Sequence, residues 1–442
     1  MRRVLCILAA CAALTACSAI ETSGGEATPR PASLEAKDQR DARLAWWREA
    51  RYGMFVHFGP FSQWPYYREK WSQFQTRPAG MPVADFDRRF TAGLTPRKES
   101  ARQWAHLAKL AGMKYMVFTA KHHEGFCLWD SKLTDYNSVK MGPGFDMVRA
   151  YVDACRAEGL KVGLYYSLLD GHHPDGHRCV DDEAARQRFL EYTRGLVREL
   201  MSNFGPIALL WYDGPTPLGF ASEWESECLN RMVRQLQPGI IINDRSLTTE
   251  DFTCSEGHIT APAFPDQDWE ACMTFNGVWG WQPAPPEQYC TSRKIIDMLH
   301  EVSSMTGNLL LNVGPNPVDG SIGPLETQRL LEAGKWLQRY GEGVYGHLDR
   351  VDALSITRNN VGATWTRRGN TAFLWMPNWP KGEVAIEKVK AKINACSLLG
   401  DGKPLPFQQK DQRVTINGLP AACPDPVCQY PLLKIEFASY PR

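Results

Sequence analysis

The chain has 442 residues, and its 50 Lys and Arg against 49 Asp and Glu leave a formal net charge of +1. So even a balance gives no electrostatic case for nucleic acid. Behind an N-terminal leader, the remaining length of roughly 400 residues fits one large domain plus a smaller one.

The first residues read as an export signal. Met1-Arg2-Arg3 is a basic start, and residues 4–14 form an apolar core too short to span a bilayer. The core ends in Leu14-Thr15-Ala16-Cys17, which resembles a bacterial lipobox in which Cys17 is acylated. Ordinary signal cleavage near the same place is the alternative. Residues 18–39, with Gly24-Gly25 and Pro29-Arg30-Pro31, read as a flexible tether. This predicts an exported protein of the periplasm, outer membrane or cell surface, held by a lipid anchor. In that oxidising setting Cys423 and Cys428 are the nearest pair for a disulfide. The 13 cysteines lack the paired spacing of a zinc site.

Apolar runs at 54–58, 115–119, 162–167, 207–212, 240–243, 272–275 and 309–313 read as strands. Between them, 145–158, 184–203, 229–237, 295–305 and 325–340 have helical spacing. This alternation implies an α/β fold with a parallel sheet. Seven visible strands predict a TIM-like (β/α) barrel, closed or imperfect, over 40–348. No Gly-x-Gly-x-x-Gly follows an early strand, so nothing indicates nucleotide binding. Short runs at 353–357, 361–366, 371–376, 383–386, 414–416 and 433–437 then predict a C-terminal antiparallel β-sandwich over 349–442. Its expected place is against one side of the barrel.

The chemistry gathers at strand ends, where a (β/α) barrel keeps its catalytic groups. Asp213, in Trp211-Tyr212-Asp213-Gly214, is a carboxylate fixed in an aromatic frame. His57 and the pair His122-His123 also end strands, and a strand-end Arg245 can fix a hydroxyl or keep a carboxylate ionised. One carboxylate, several histidines and many tryptophans are the parts of a sugar-cleaving site, although each also has an ordinary structural use. A second carboxylate is less certain. Glu256 reads as a loop residue and Glu270 as lying beside a strand, and either could be a general acid with a raised pKa. His172, His173 and His177 leave a metal-dependent hydrolase as a rival reading.

Taken together, Phe55-Val56-His57-Phe58-Gly59, Lys121-His122-His123-Glu124-Gly125-Phe126, Gly163-Leu164-Tyr165-Tyr166-Ser167 and Trp211-Tyr212-Asp213-Gly214 resemble the α-L-fucosidases of glycoside hydrolase family 29. Asn243-Asp244-Arg245, Trp269-Glu270-Ala271-Cys272 with Trp279-Gly280-Trp281, and the run from Asn308 to Pro315 extend the resemblance. It implies a retaining exo-α-L-fucosidase with Asp213 as nucleophile. It places Glu256 as acid/base, in preference to Glu270, through Asp251-Phe252 and the Glu four residues on. It implies a fucose pocket of His57, Glu69, Trp71, His122, His123, Tyr165, Trp211, Arg245, Glu270 and Trp279. No metal or cofactor is implied, and the partners are fucosylated oligosaccharides or glycoconjugates.

Three departures stand out. Cys254-Ser255-Glu256 stands where Thr-Pro-Glu is more usual around the acid. Glu124 replaces the usual Asp after the paired histidines, and Glu69-Lys70-Trp71 stands where Glu-Trp-Tyr is usual. A glycan-binding protein without turnover, and an α-L-galactosidase, remain the alternatives.

Overall fold

The computed structural model describes residues 35–66, 81–264, 266–349, 361–380 and 382–440. Cys17, Glu69, Trp71 and the expected strand at 353–357 lie outside them. Eight strands form one parallel sheet: β1 Tyr52–Val56, β2 Tyr115–Lys121, β3 Lys161–Ser167, β4 Leu209–Asp213, β5 Ile241–Ile242, β6 Thr253–Glu256, β7 Trp269–Thr274 and β8 Asn308–Val313. The order β5-β4-β3-β2-β1-β8-β7-β6 curls into a TIM-like barrel. Its two edge strands, β5 and β6, meet at a single parallel bridge between Asn243 and Phe252.

Strand β6 corrects the expectation of a loop around Glu256. Thr-Cys-Ser-Glu has no apolar run by which to recognise a buried strand. It becomes a strand because β7 offers it an edge, and Thr253 to Glu256 pair in register with Trp269 to Cys272. Strand β7 also begins earlier than expected, which puts Glu270 inside it.

Helix α1, Lys37–Ala50, precedes β1 and buries Leu44, Trp47 and Ala50 on one face. Trp47 packs on Phe252 with ring centroids 4.8 Å apart, and its carbonyl accepts from Asn308 Nδ2 at 2.8 Å. This helix plugs the base of the barrel. Helices α2 Ser100–Leu110, α3 Met147–Ala157, α4 Glu183–Asn203 and α5 Ser226–Leu236 lie between successive strands from β1 to β5. Helix α6, Ser292–Ser304, joins β7 to β8, and α7, Pro324–Tyr340, follows β8. Side chains at their starts fix several of them: Asp146 accepts from Arg149 N–H, Asp182 from Ala185 N–H and Thr291 from Lys294 N–H. Among the described residues no α-helix lies between β5 and β6, where a single 3-10 turn spans Asp244–Ser246, or between β6 and β7.

The seam between β5 and β6 is closed by a side chain. Asp251 accepts from Ile242 N–H at 2.9 Å with the same Oδ2 that receives Arg234 at 3.0 Å. Its Oδ1 receives Arg43 of α1 at 2.8 Å. A carboxylate thus takes the place of a neighbouring strand's carbonyl, and two guanidiniums neutralise it.

The C-terminal region holds two antiparallel sheets with a shared apolar core. One orders Ile393–Leu398, Leu432–Phe437, Thr371–Trp375 and Thr364–Arg368; the other orders Val384–Ile386, Arg413–Ile416 and Phe407–Lys410. Trp375 stacks near Trp336 of α7 at 5.4 Å, and Arg293 of α6 donates to the carbonyls of Gln429 and Pro377. The sandwich therefore lies on α6 and α7, outside the barrel wall. Cys423 and Cys428 are free thiols, against the expected disulfide. The Cys423 thiol faces the Asp425 carbonyl, while Cys428 is buried. No described helix is long and apolar enough to cross a membrane.

Candidate active site

The carboxyl ends of the strands converge on Asp213, the last residue of β4. Tyr165, two residues before the end of β3, donates from Oη to Asp213 Oδ2 at 2.8 Å. Arg245 follows β5 and donates from Nη1 to Asp213 Oδ1 at 3.1 Å. His123 Nε2 lies 3.8 Å from Oδ2. Burial alone would raise the Asp213 carboxyl, but Arg245, Tyr165 and the Gly214 N–H help to hold it below the usual carboxylate value. Asp213 is therefore ionised at neutral pH. Gly214 has φ +55°, and a Cβ there would lie 2.9 Å from the His123 ring, so the turn after Asp213 needs glycine.

Arg245 also reaches the second carboxylate. Its Nη2 donates to Glu256 Oε2 at 2.8 Å. One guanidinium spans Asp213 and Glu256, and it rests over the Trp211 ring at 5.3 Å. Burial works against the Arg245 charge, but Asp213 and Glu256 more than offset it. Glu256 ends β6 with 41% of its side chain exposed, so it is open to water.

The histidines form one wall. His57 is buried, and its Nδ1 lies 2.6 Å from Asn312 Oδ1. Asn312 Nδ2 is committed to the Trp279 carbonyl at 2.7 Å, so Oδ1 is the acceptor and His57 carries its proton on Nδ1. The Trp279 ring stands 5.0 Å from the His57 ring. His123 Nδ1 faces Ser167 Oγ at 2.7 Å, and that hydroxyl donates to Leu169 O. His123 therefore also carries its proton on Nδ1. His122 stacks on Phe61 at 4.0 Å and lies nearly parallel to Tyr165. Burial pushes His57 well below its usual pKa, His122 to about 4 and His123 to about 3. All three imidazoles are neutral at neutral pH, with one nitrogen tied to the protein.

Glu270 is not brought into this group. It is buried, two residues into β7, where Tyr115 Oη and Trp211 Nε1 donate to its carboxylate. Its contribution is from below, through the indole that carries Arg245. Its sequence neighbourhood could not separate the two roles, because Trp-Glu-Ala-Cys fits a strand start or a site loop equally. The glutamate's position facing the barrel floor decides it.

His172 and His173 also stand apart. His172 Nε2 lies 3.1 Å from Asp87 Oδ2, with its ring stacked 3.9 Å from Tyr136, and His173 Nδ1 accepts from Asp175 N–H. Among the described residues no group of three His, Cys, Asp or Glu is placed to hold a metal ion. Glu69 and Trp71 lie outside the described residues, so the structure does not test them. The positioning residues Asn312, Ser167 and Phe61 escaped sequence reasoning. The only signals were a second Asn near the end of the apolar run of β8 and a Ser ending β3.

The arrangement has a fixed anion at the base of a cleft, an exposed carboxylate on the same guanidinium, and neutral imidazoles and indoles around them. That set can cleave a neutral sugar at its anomeric carbon.

A family profile described as alpha-L-fucosidase matches residues 19–342. Human plasma alpha-L-fucosidase is 32% identical over 419 residues, which cover 86% of this chain and 87% of that protein. Mouse tissue alpha-L-fucosidase is 30% identical, covering 89% of this chain and 90% of that protein. Among solved structures, alpha-L-fucosidase isoenzyme 1 from Paenibacillus thiaminolyticus superposes with a TM-score of 0.80 at 31% identity, covering 91% of this chain and all of that one. A GH29 alpha-L-fucosidase from Bacteroides thetaiotaomicron, in a structure described as a trapped covalent intermediate with 2-fluoro-fucosyl fluoride in a Glu-to-Gln mutant, gives a TM-score of 0.78 at 26% identity, covering 92% and 99%. The chain belongs to the α-L-fucosidase family and is a glycoside hydrolase.

Proposed function

We propose that this chain is a retaining exo-α-L-fucosidase of fucosylated oligosaccharides or glycoconjugates. We further propose that it is exported from a bacterial cell and anchored through an acylated Cys17. The observation that carries the catalytic reading is the single guanidinium of Arg245 holding Asp213 at 3.1 Å and Glu256 at 2.8 Å. It keeps the first carboxylate ionised and the second within reach of the same bond.

In the first step an Asp213 oxygen attacks the anomeric carbon. Glu256 gives its proton to the glycosidic oxygen as the bond to the sugar breaks. In the second step Glu256 takes a proton from water, and the water oxygen displaces Asp213. The neutral imidazoles His57, His122 and His123 offer hydrogen bonds to sugar hydroxyls, and Trp211 and Trp279 offer faces. The covalent intermediate trapped in the Bacteroides relative by changing a glutamate supports this two-carboxylate reading.

The test is release of nitrophenol from 4-nitrophenyl α-L-fucoside by the mature protein, beside Asp213→Ala. Turnover that falls by several orders of magnitude in a folded mutant is the expected result. A mutant of near-normal activity overturns the assignment. Silence of the parent on the aryl fucoside and on a panel of fucosylated oligosaccharides favours a binding protein.

A further inference from the structure

Glu124 lies among the active-site histidines without a part in the proposed chemistry. It is 3% exposed, and its Oε2 lies 3.2 Å from His122 Nδ1. The loop after β1 closes over its other oxygen, since a Cβ on Gly59 would stand 3.1 Å from Oε1. His122 is itself held as a plate between Phe61 and Tyr165. Its Nε2 has no hydrogen-bond partner among the described residues, yet it is not sealed from solvent. That nitrogen is the one left for a ligand.

We propose that Glu124 is a positioning residue that sets the tautomer of His122, and so decides whether the site offers the sugar an acceptor or a donor at Nε2. With Glu124 ionised, Nδ1–H donates to Oε2 and Nε2 is an acceptor. When the pair takes up one proton, it enters at Nε2 and the Nδ1 proton crosses to Oε2. The carboxylic acid then donates back to Nδ1, and Nε2–H is a donor. One proton is gained, and the imidazole is neutral before and after. An imidazolium is disfavoured because burial pushes His122 to about 4.

Burial pushes the Glu124 carboxyl up to about 7, so the exchange falls in the neutral range. The backbone and Lys121, at the end of β2, favour the carboxylate; His123 beside it is neutral, and Asp170, from the loop after β3, opposes it. Lys121 is largely occupied, with Asp170 at 3.2 Å and the Leu169 carbonyl at 3.1 Å. Among the described residues, the titratable group facing from the β1 side is His57, its ring 5.8 Å from His122 and neutral. The two other histidines have their Nδ1 protons pinned by Asn312 and Ser167, neither of which titrates. Of the three, His122 is the one whose Nδ1 faces a group that does.

The test uses the mature protein labelled with ¹⁵N-histidine, with His122 assigned by His122→Asn, and reads the ring nitrogens between about pH 5.5 and pH 8.5. The expected result is a change from the Nδ1–H form at high pH to the Nε2–H form at low pH, absent in Glu124→Gln and retained in Glu124→Asp. One tautomer throughout in the parent, or an unchanged transition in Glu124→Gln, overturns the proposal. The kinetic counterpart rests on the fucosidase reading: KM for the aryl fucoside shifts about three- to tenfold across the same range in the parent and is flat in Glu124→Gln. A flat KM in the parent refutes the sugar contact. The nuclear resonance result needs no substrate, so failure of one reading is distinguishable from failure of the other.

Discussion

Arg245 donates to Asp213 Oδ1 at 3.1 Å, from a short connection that leaves β5 and returns as β6. Because its second nitrogen holds Glu256, the two carboxylates share one counter-charge. A lysine is a point charge and cannot serve both with the same geometry.

Arg245→Lys should therefore lower kcat/KM on the aryl fucoside by about 10- to 100-fold, the worth of one charge-assisted hydrogen bond. The pH profile should also move. Arg245 helps to hold the Asp213 carboxyl below its usual value, so its loss lets that carboxyl rise. Activity that needs ionised Asp213 then fails at a higher pH, and the acid limb shifts upward. An unchanged acid limb would show that Arg245 does not tune Asp213.

Glu256→Ala should separate substrates by leaving group. Aryl fucosides with acidic phenols need little protonation, whereas a sugar alcohol needs a full proton. The expected loss is about 100-fold or more on a fucosylated oligosaccharide and much smaller on the first step with the nitrophenyl substrate. Equal losses on both would remove Glu256 from the acid role.

Glu270 gives a prediction about stability rather than rate. Burial pushes its carboxyl from 4.5 to about 7 in the folded protein. Between those values the unfolded chain releases this proton while the folded chain keeps it. Folding stability therefore falls as pH rises from about 4.5 to about 7, and the slope from this group ends above the folded value. The full span is worth on the order of 3 kcal/mol. Glu270→Gln should flatten that part of a denaturation-against-pH curve without abolishing folding. Tyr115 and Trp211 retain an amide partner in place of the acid. A slope identical to that of the parent would refute the assignment.

The barrel was legible where apolar runs are unambiguous. The run ending at Asp213 read as a buried strand, and the structure sets its last carboxylate among Tyr165, Arg245 and His123. Residues 253–256 were illegible because Thr-Cys-Ser-Glu carries no strand signal of its own and takes its conformation from the edge of β7. The same shift moved Glu270 from the site to the floor. The partners that fix the imidazoles were hidden for another reason. Asn312 lies 255 residues from His57, and Ser167 lies 44 from His123, so only the closed barrel joins them.

The closure at Asp251 has a consequence for how this enzyme can vary. Every strand from β1 to β4 is tied to the next by a helical stave, but Arg245 and Glu256 are 11 residues apart on a panel with none. Between β5 and β6 that panel is closed by one backbone bridge and one carboxylate, while its far edge is paired to β7. Glu256 and the guanidinium that holds it thus lie on a single short segment. A change in its length therefore displaces Arg245 and Glu256 together, and it pulls on α5, whose Asn230 and Arg234 hold Ser246, Glu250 and Asp251.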